Sequence, residues 1–204
     1  MTSEIAVPNV NLEVSFAKGH IPELLRKLEI FTGIPLSLRS NSGEVVCKTD
    51  YFSGPCSLIR GTDVGRERCR KTYHNIEEKL FRRKVPYINV CYAGFLIFAV
   101  PLELRGEMIG TLLGSQILPQ TYSGKSEISG AFGNLLESIG IKDNNYFYES
   151  IMKVKILEPD FQRISFMQLL NKIGENFVEM AFSEKTWPVF YKEIKDDLKS
   201  FGNV

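Results

Sequence analysis

The chain has 204 residues, of which 44% are hydrophobic, 24% charged and 11% aromatic. This size and balance predict one globular domain, or one domain with a helical extension, and exclude a fibrous repeat or a disordered chain. The formal net charge is only +1, so the strong field expected of a nucleic-acid or anionic-membrane binder is missing. We therefore expect no direct contact with nucleic acid and no membrane association.

The amino terminus and the cysteine content predict a cytoplasmic protein. The chain opens Met-Thr-Ser-Glu-Ile, without the basic and apolar regions of a signal peptide. The longest apolar stretch, at 91–102, is about 12 residues and too short to span a membrane. Four cysteines are ordinary usage for a reducing compartment, where we expect free thiols.

The first half of the chain combines helical and strand patterns. Apolar residues recur at helical spacing from Ile21, and Gly33 can adopt the positive φ that ends a helix. The segment Asn41-Ser42-Gly43 has the composition of a turn between two short strands. The predicted elements are a helix over 21–32, a β-hairpin formed by 34–39 and 44–48, a loop or short helical turns over 49–65, and an amphipathic helix over 66–84. The buried stripe of that last helix is predicted to hold Cys69, Tyr73, Ile76 and Leu80.

Three strands are predicted next, over 86–92, 95–104 and 107–118. The dipeptide Arg105-Gly106 joins the last two in a tight turn, which implies antiparallel pairing. Simple alternation would place five residues on one face of the third strand: Met108, Gly110, Leu112, Gly114 and Gln116. The glycines remove side-chain bulk where a bulge or a neighbouring helix must fit.

Helical patterns dominate after residue 120. Phe132 and Leu136 begin a helix that Gly140 can end, and a long final helix follows Pro159. The apolar positions of the final helix have the spacing of a coiled-coil seam: Phe166, Leu170, Ile173, Phe177 and Met180. Such a seam suits pairing across a homodimer and packing back on the sheet equally well. A break at Trp187-Pro188 and a tail helix over 191–201 complete the chain.

This order of elements predicts an α+β fold with one antiparallel sheet of about five strands, as in PAS and GAF domains. Enzyme signatures are scarce: the chain has two histidines and no nucleophile elbow, zinc-protease helix, P-loop or dinucleotide-binding fingerprint. We therefore expect a non-catalytic protein, and an enzyme with a cysteine nucleophile is the weakest alternative.

Three cysteines lie on different predicted elements yet can face one interior. Cys56 lies in a loop, Cys69 on a helix and Cys91 on a strand, whereas Cys47 stands apart in the hairpin. Converging thiolates can hold a metal ion, but separations of 13 and 22 residues contain no Cys-x-x-Cys pair. A metal ion at this cluster and three buried, inert side chains are both open at this point.

Several short motifs together resemble the PocR sensory domain in order and spacing. They are Cys56-Ser-Leu-Ile-Arg60, Gly65-Arg-Glu-Arg-Cys69-Arg-Lys71, Pro86-Tyr-Ile-Asn-Val-Cys91-Tyr-Ala-Gly94, Phe98-Ala-Val-Pro101, Gly106 with Ile109-Gly110, and Gly114-Ser115-Gln116. The resemblance covers about 21–118 and implies a PAS-type domain that binds small, simple hydrocarbon derivatives. Two positions depart from the pattern: many relatives have histidine in place of Tyr92 and a second glycine in place of Ser115.

The resemblance implies a sensory core over 15–120 and a helical extension over 121–204 that packs on the core or mediates dimerisation and signal output. The implied ligand is a short diol, alcohol or acid, and the implied effector, a kinase or a DNA-binding domain, lies outside this chain. The ligand-binding candidates are Tyr87, Cys91, Tyr92, Phe98, Ser115 and Gln116. A redox or metal-centred sensor is the alternative, with Cys56, Cys69 and Cys91 as the candidate metal ligands.

Overall fold

A computed structural model describes residues 21–49, 54–142, 145–157 and 160–182. Within these ranges the chain forms six helices and five strands. They are α1 (Ile21–Thr32), β1 (Leu36–Ser40), β2 (Val45–Lys48), α2 (Gly54–Gly61), α3 (Asp63–Arg83), β3 (Tyr87–Val90), β4 (Leu96–Leu104), β5 (Glu107–Ile117), α4 (Lys125–Ser138), α5 (Asn145–Ile151) and α6 (Asp160–Phe182). No helix among the described residues has the length and apolarity that crossing a membrane requires.

The five strands form one antiparallel sheet in the order β2-β1-β5-β4-β3, so the last strand lies at the centre. Arg105 and Gly106 both have positive φ, at 54° and 83°, and this tight turn joins β4 to β5 as predicted. With helices packed around an open antiparallel sheet, the α+β, PAS/GAF-like fold is confirmed.

The helices divide between the two faces of the sheet. Helices α1 and α6 cover one face, where apolar side chains of β1, β4 and β5 form the largest core cluster. Helix α3 covers part of the other face, with Ile76 and Leu80 against Ile97 and Leu113. A third cluster joins α4 and α5 to α2 and to the beginning of β4. Helix α6, in the C-terminal part of the chain, therefore shares the largest core cluster with the sheet.

The seam of α6 packs back on the sheet. Phe166, Leu170, Ile173 and Phe177 are all buried in the cluster beneath α1 and α6. The ring of Phe166 meets that of Phe98 edge to face at a centroid distance of 4.9 Å. The side chain of Met180, the break at 187–188 and the tail helix at 191–201 lie outside the described residues.

The predicted alternation along β5 is wrong at two places, because the strand contains two bulges. Adjacent residues Leu102 and Glu103 of β4 pair with Gly110 and Met108, which leaves one extra residue in β5. Met108 consequently packs beside α3, whereas Leu112 packs beneath α1 and α6. A second bulge lies between Gly114 and Ile117, and it places Gln116 on the face of the sheet opposite to Gly114. Side-chain alternation reverses wherever a strand carries an extra residue.

The segment predicted as a loop or short turns contains α2, and α5 has no counterpart among the predicted elements. Both helices are short, with eight and seven residues. Segments of this length carry too few turns for a clear helical periodicity. Their packing against the third core cluster, through Ile59, Phe147 and Ile151, stabilises them instead.

Candidate functional site

A small cavity lies between the sheet and helices α2 and α3. The space open to the centre of a water-sized sphere is about 30 Å³, and the whole space between the lining atoms, open solvent included, is about 400 Å³. We refer to this cavity as the thiol cavity. It is lined by Cys56, Ile59, Arg60, Cys69, Thr72, Tyr73, Cys91, Tyr92, Ala93, Phe95, Ile97, Ser115 and Gln116. The three cysteines from separate elements thus face one space, and none of the three forms a disulfide.

A close turn between α2 and α3 brings the first two cysteines together. Thr62 caps α3 by accepting a hydrogen bond from the backbone N–H of Gly65 at 3.0 Å. A Cβ atom at Gly65 would lie only 2.0 Å from the carbonyl oxygen of Ile59, so glycine alone fits there. The turn holds Cys56 on α2 and Cys69 on α3 at the same cavity wall.

A second turn, after β3, positions Cys91 and Tyr92. The N–H of Cys91 donates to the carbonyl of Phe95 at 2.8 Å, and Gly94 closes the turn with φ at 84°. The hydroxyl of Tyr92 donates to the carbonyl of Gly65 at 2.9 Å and lies 3.7 Å from the sulfur of Cys69. Tyr92 therefore connects this turn to the beginning of α3.

A bulge in β5 turns two successive side chains toward the cavity. Leu96 and Phe98 of β4 pair with Ile117 and Gly114, so Ser115 and Gln116 together oppose the single residue between them. Gln116 has φ at 63° and is only 6% exposed. A left-handed conformation is costly for a residue with a Cβ atom, and such strain is concentrated at functional sites. Ser115 and Gln116 line the same cavity wall as a result.

The protonation states in the cavity follow from burial. Burial raises the pKa of Tyr73 to about 12; its hydrogen bond with Ser115 opposes the shift, and the nearby thiols reinforce it. Burial also raises the pKa of Tyr92, with a further contribution from its hydrogen bond with Cys69. The pKa of Cys91 is raised by burial as well. These two phenols and this thiol are therefore neutral at physiological pH.

The described residues contain no group of three or more His, Cys, Asp or Glu side chains arranged to hold a metal ion. Cys56, Cys69 and Cys91 share the cavity wall without forming such a group. Four-coordinate sulfur sites need converging thiolates at close distances. A metal ion at the cysteines stays a prediction.

Four of the six predicted ligand-binding residues line the thiol cavity, namely Cys91, Tyr92, Ser115 and Gln116. The two others lie elsewhere. Phe98 faces α6 with no exposed surface, because it alternates with the cavity residue Ile97 along β4. Tyr87 packs beside α3, and its hydroxyl donates to the carbonyl of Ile76 at 2.8 Å. The expectation that all six share one cavity is thus corrected.

Cys47 stands apart from the other cysteines, as predicted. It lies on β2, packs against the cluster beneath α1 and α6, and does not line the thiol cavity. Burial raises its pKa to about 11.

Sequence reasoning missed several cavity residues. Arg60, Thr72, Tyr73 and Phe95 all line the cavity but were not proposed as ligand-binding residues. The available signal was helical spacing, because Tyr73 follows Cys69 by four residues and so shares its face of α3. Arg60 likewise follows Cys56 by four residues, but this spacing indicates a shared face only once 54–61 is known to be a helix.

Comparison with known families finds one that covers most of the chain. A family model described as "Sensory domain found in PocR" matches residues 16–182. The match therefore extends past 21–118, the range covered by the short motifs, and includes α6. Among curated proteins, none matches this chain.

Proposed function

The chain belongs to the PocR family of sensory domains, and on that premise we propose that its thiol cavity binds a small organic molecule. One observation carries the proposal: the family motifs at Cys56, Cys69, Cys91 and Gln116 come from four separate elements and line a single cavity. Concave, mostly apolar sites with a few oriented polar groups are typical of small-molecule binding. The ligand class is a short alcohol, diol or acid.

The cavity offers both kinds of contact that such a ligand needs. Ile59, Phe95 and Ile97 supply apolar surface. Tyr73 and Ser115 supply hydroxyl groups, and the neutral phenol of Tyr73 can donate as well as accept. A ligand with a short carbon chain and one or two oxygens would satisfy both sets of groups.

Strand β5 offers a physical connection from the cavity to α6. Gly114 lies next to Ser115 but on the opposite face, where α6 approaches closely. A Cβ atom at Gly114 would lie 3.0 Å from Phe166 and 3.1 Å from Leu170. A ligand that shifts Ser115 or Gln116 would therefore also shift the surface on which α6 rests. Binding produces a signal when it favours one of two such arrangements.

The proposed output lies outside this chain, in a kinase or a DNA-binding domain. We propose that α6 and the residues after it transmit the signal, either directly or through a homodimer formed by the C-terminal helix. Ligand-dependent dimerisation, measured by analytical ultracentrifugation with and without ligand, distinguishes the two routes.

A thermal-shift screen of short alcohols, diols, amines and carboxylic acids tests the proposal. A ligand at 100 times its dissociation constant should add about 2.7 kcal/mol of stability. The matched variants are Cys69→Leu, which fills the thiol cavity, and Cys47→Leu, which adds the same bulk on the other side of the sheet. We expect the ligand shift to disappear in the first variant and persist in the second. A screen in which the unmodified protein shows no shift would overturn the proposal.

The convergence of three thiols favours one second candidate, a redox or metal-centred sensor. The raised pKa of Cys91 opposes a redox role, because the thiolate is the reactive form. Elemental analysis and thiol titration of anaerobically purified protein decide this question. Bound metal, or rapid oxidation of Cys56, Cys69 or Cys91, would favour the second candidate over the first.

A further inference from the structure

The thiol cavity is small compared with cavities that hold organic molecules. The space open to the centre of a water-sized sphere is about 30 Å³. A single water molecule needs about 10–15 Å³ of cavity, and a cavity of about 150 Å³ holds benzene. On this scale the thiol cavity takes only about two or three non-hydrogen atoms. A ligand of that size fits the cavity as it stands, and a larger one fits only if a wall moves.

Two phenols tie the cavity wall formed by α3 to the rest of the domain. The hydroxyl of Tyr92, in the turn after β3, donates to the carbonyl of Gly65 at 2.9 Å. Further along α3, Tyr73 forms a hydrogen bond with Ser115 of β5. Gly65 and Tyr73 are about 12 Å apart along the helix axis. Cys69, which lines the cavity, lies between these two attachments.

Helix α3 is also packed on both sides of this segment. At its beginning, a Cβ atom at Gly65 would lie 2.0 Å from the carbonyl oxygen of Ile59, so α2 and α3 are in direct contact. In its second half, Ile76 and Leu80 are buried in a cluster with Ile97 of the sheet. Moving α3 away from the sheet would therefore break hydrogen bonds and expose apolar surface, both of which cost free energy.

The ring of Tyr92 lies between the cavity and the protein surface. It lines the cavity, and the exposed guanidinium of Arg68 lies over it, 5.9 Å from the ring centroid. Resting on the proposed function, we infer that Tyr92 is a specificity-determining residue. Its ring closes the thiol cavity and limits the ligand to about three non-hydrogen atoms, the size of a one- or two-carbon alcohol.

A series of alcohols of increasing length tests this inference. Methanol, ethanol, 1-propanol and 1-butanol are titrated into the protein, and binding is followed by NMR chemical shifts. On an open apolar surface each added carbon should tighten binding about fourfold, the equivalent of about 0.8 kcal/mol per methylene. In the closed cavity we expect the gain to stop at ethanol. A ligand of this size reaches roughly millimolar affinity at best, so the titrations run at millimolar concentrations.

Variants of two tyrosines identify the residue that sets the limit. In Tyr92→Ala the ring is gone, and 1-butanol should bind at least about tenfold more tightly than ethanol. The matched control is Tyr87→Ala: the Tyr87 hydroxyl also donates to a carbonyl of α3, that of Ile76 at 2.8 Å, but Tyr87 does not line the cavity. The limit at ethanol should persist in this control.

Two further substitutions at Tyr92 separate the ring from its hydrogen bond. Tyr92→Phe keeps the ring and loses only the hydrogen bond to Gly65, so the limit should stay at ethanol. Tyr92→Leu has a smaller side chain that still covers apolar neighbours, and it should move the limit to longer alcohols. This variant decides the matter if circular dichroism shows that Tyr92→Ala does not fold.

The outcomes separate this inference from the proposed function. Affinity that keeps rising through 1-butanol in the unmodified protein would overturn the size limit and leave the sensory function standing. A limit that is lost in Tyr92→Phe, or kept in both Tyr92→Ala and Tyr92→Leu, would overturn the role of the ring. Failure of all four alcohols to bind would also overturn the inference, whereas the proposed function fails only if the wider thermal-shift screen shows no ligand.

Discussion

The two faces of one sheet differ in what they bury. Between the sheet and helices α1 and α6, aromatic and aliphatic side chains form the largest core cluster, in which Phe98 and Phe177 are fully buried. On the other side, α2, α3 and the sheet together place thiols, hydroxyls and an amide around a small cavity. The first face holds the largest part of the apolar core, and the second adds polar groups that the proposed ligand would contact.

The residues of the two faces are also direct neighbours in the chain. Successive residues of a strand point to opposite faces, so a cavity residue and a core residue are covalent neighbours. Ser115 lines the cavity while Gly114 contacts α6, and Ile97 lines the cavity while Phe98 contacts Phe166. Substitutions at these neighbours should therefore separate effects on stability from effects on binding.

The largest expected effect is that of Phe98→Ala, beneath α6. Removing a fully buried aromatic ring costs about 3–5 kcal/mol, because apolar contacts are lost and a cavity remains. Urea denaturation measures the change. The matched substitution on the other face is Ser115→Ala, which removes one hydrogen bond and should cost roughly 1 kcal/mol. Equal costs for the two variants would contradict the division between a stabilising face and a binding face.

A smaller effect is expected for Gly114→Ala. The added methyl group would lie 3.0–3.1 Å from Phe166 and Leu170, so α6 must move away by a few tenths of an ångström. Overpacking of this kind costs about 1–3 kcal/mol. The control is Gly130→Ala in α4, where no atom lies within 4 Å and the substitution should stabilise the protein. Thermal denaturation of both variants measures the difference, and a neutral Gly114→Ala would argue against close contact with α6.

A third substitution, Gln116→Gly, should separate stability from binding. Glycine relieves the left-handed strain at φ 63°, a gain of about 1 kcal/mol that offsets the lost side-chain contacts. We expect stability to change little while ligand affinity falls. The matched control is Arg105→Gly, which relieves similar strain at φ 54° in an exposed turn. A ligand shift that survives in the Gln116 variant would remove this residue from the binding site.

The smallest effect concerns pH. The pKa of Tyr73 is raised to about 12 in the folded protein, whereas an unfolded chain loses the phenolic proton near pH 10. The folded state then binds more protons than the unfolded state, so stability is fully present below about pH 10 and falls as the pH rises toward 12. At pH 10 the loss from Tyr73 is well under about 1 kcal/mol.

Denaturation between pH 8 and pH 11 measures this decline, and Tyr73→Phe should make it shallower. The raised pKa values of Tyr87 and Cys47 act with the same sign, so part of the decline persists in the variant. A slope that is identical with and without the Tyr73 hydroxyl would contradict its burial in the wall of the thiol cavity.

Much of the architecture was predictable because its signals are local. Helical periodicity located α1, α3 and α6, and turn composition located the hairpin of β1 and β2 and the turn between β4 and β5. The short motifs indicated the family and the three cysteines of the cavity. Each of these signals depends on residues close together in the chain.

The predicted side-chain directions were wrong where a single inserted residue or a contact with a distant element decides which face a side chain occupies. Phe98 was placed among the ligand-binding residues, yet strand alternation turns it toward α6. Gln116 was placed with Gly114, yet the bulge turns it toward the cavity. One inserted residue reverses the side-chain direction of a strand, and its position depends on hydrogen bonds with a neighbouring strand.

By itself, the sequence determined the fold class, the central strands and the amphipathic helices, because hydrophobic periodicity and turn residues act locally. The convergence of three cysteines was implied by the resemblance of the short motifs to a family. Only the tertiary structure decided which face of the sheet each residue occupies, that the seam of α6 packs on the sheet, and that Arg60 and Tyr73 line the thiol cavity. These features depend on bulges, on a turn that only Gly65 permits and on contacts between elements far apart in the chain.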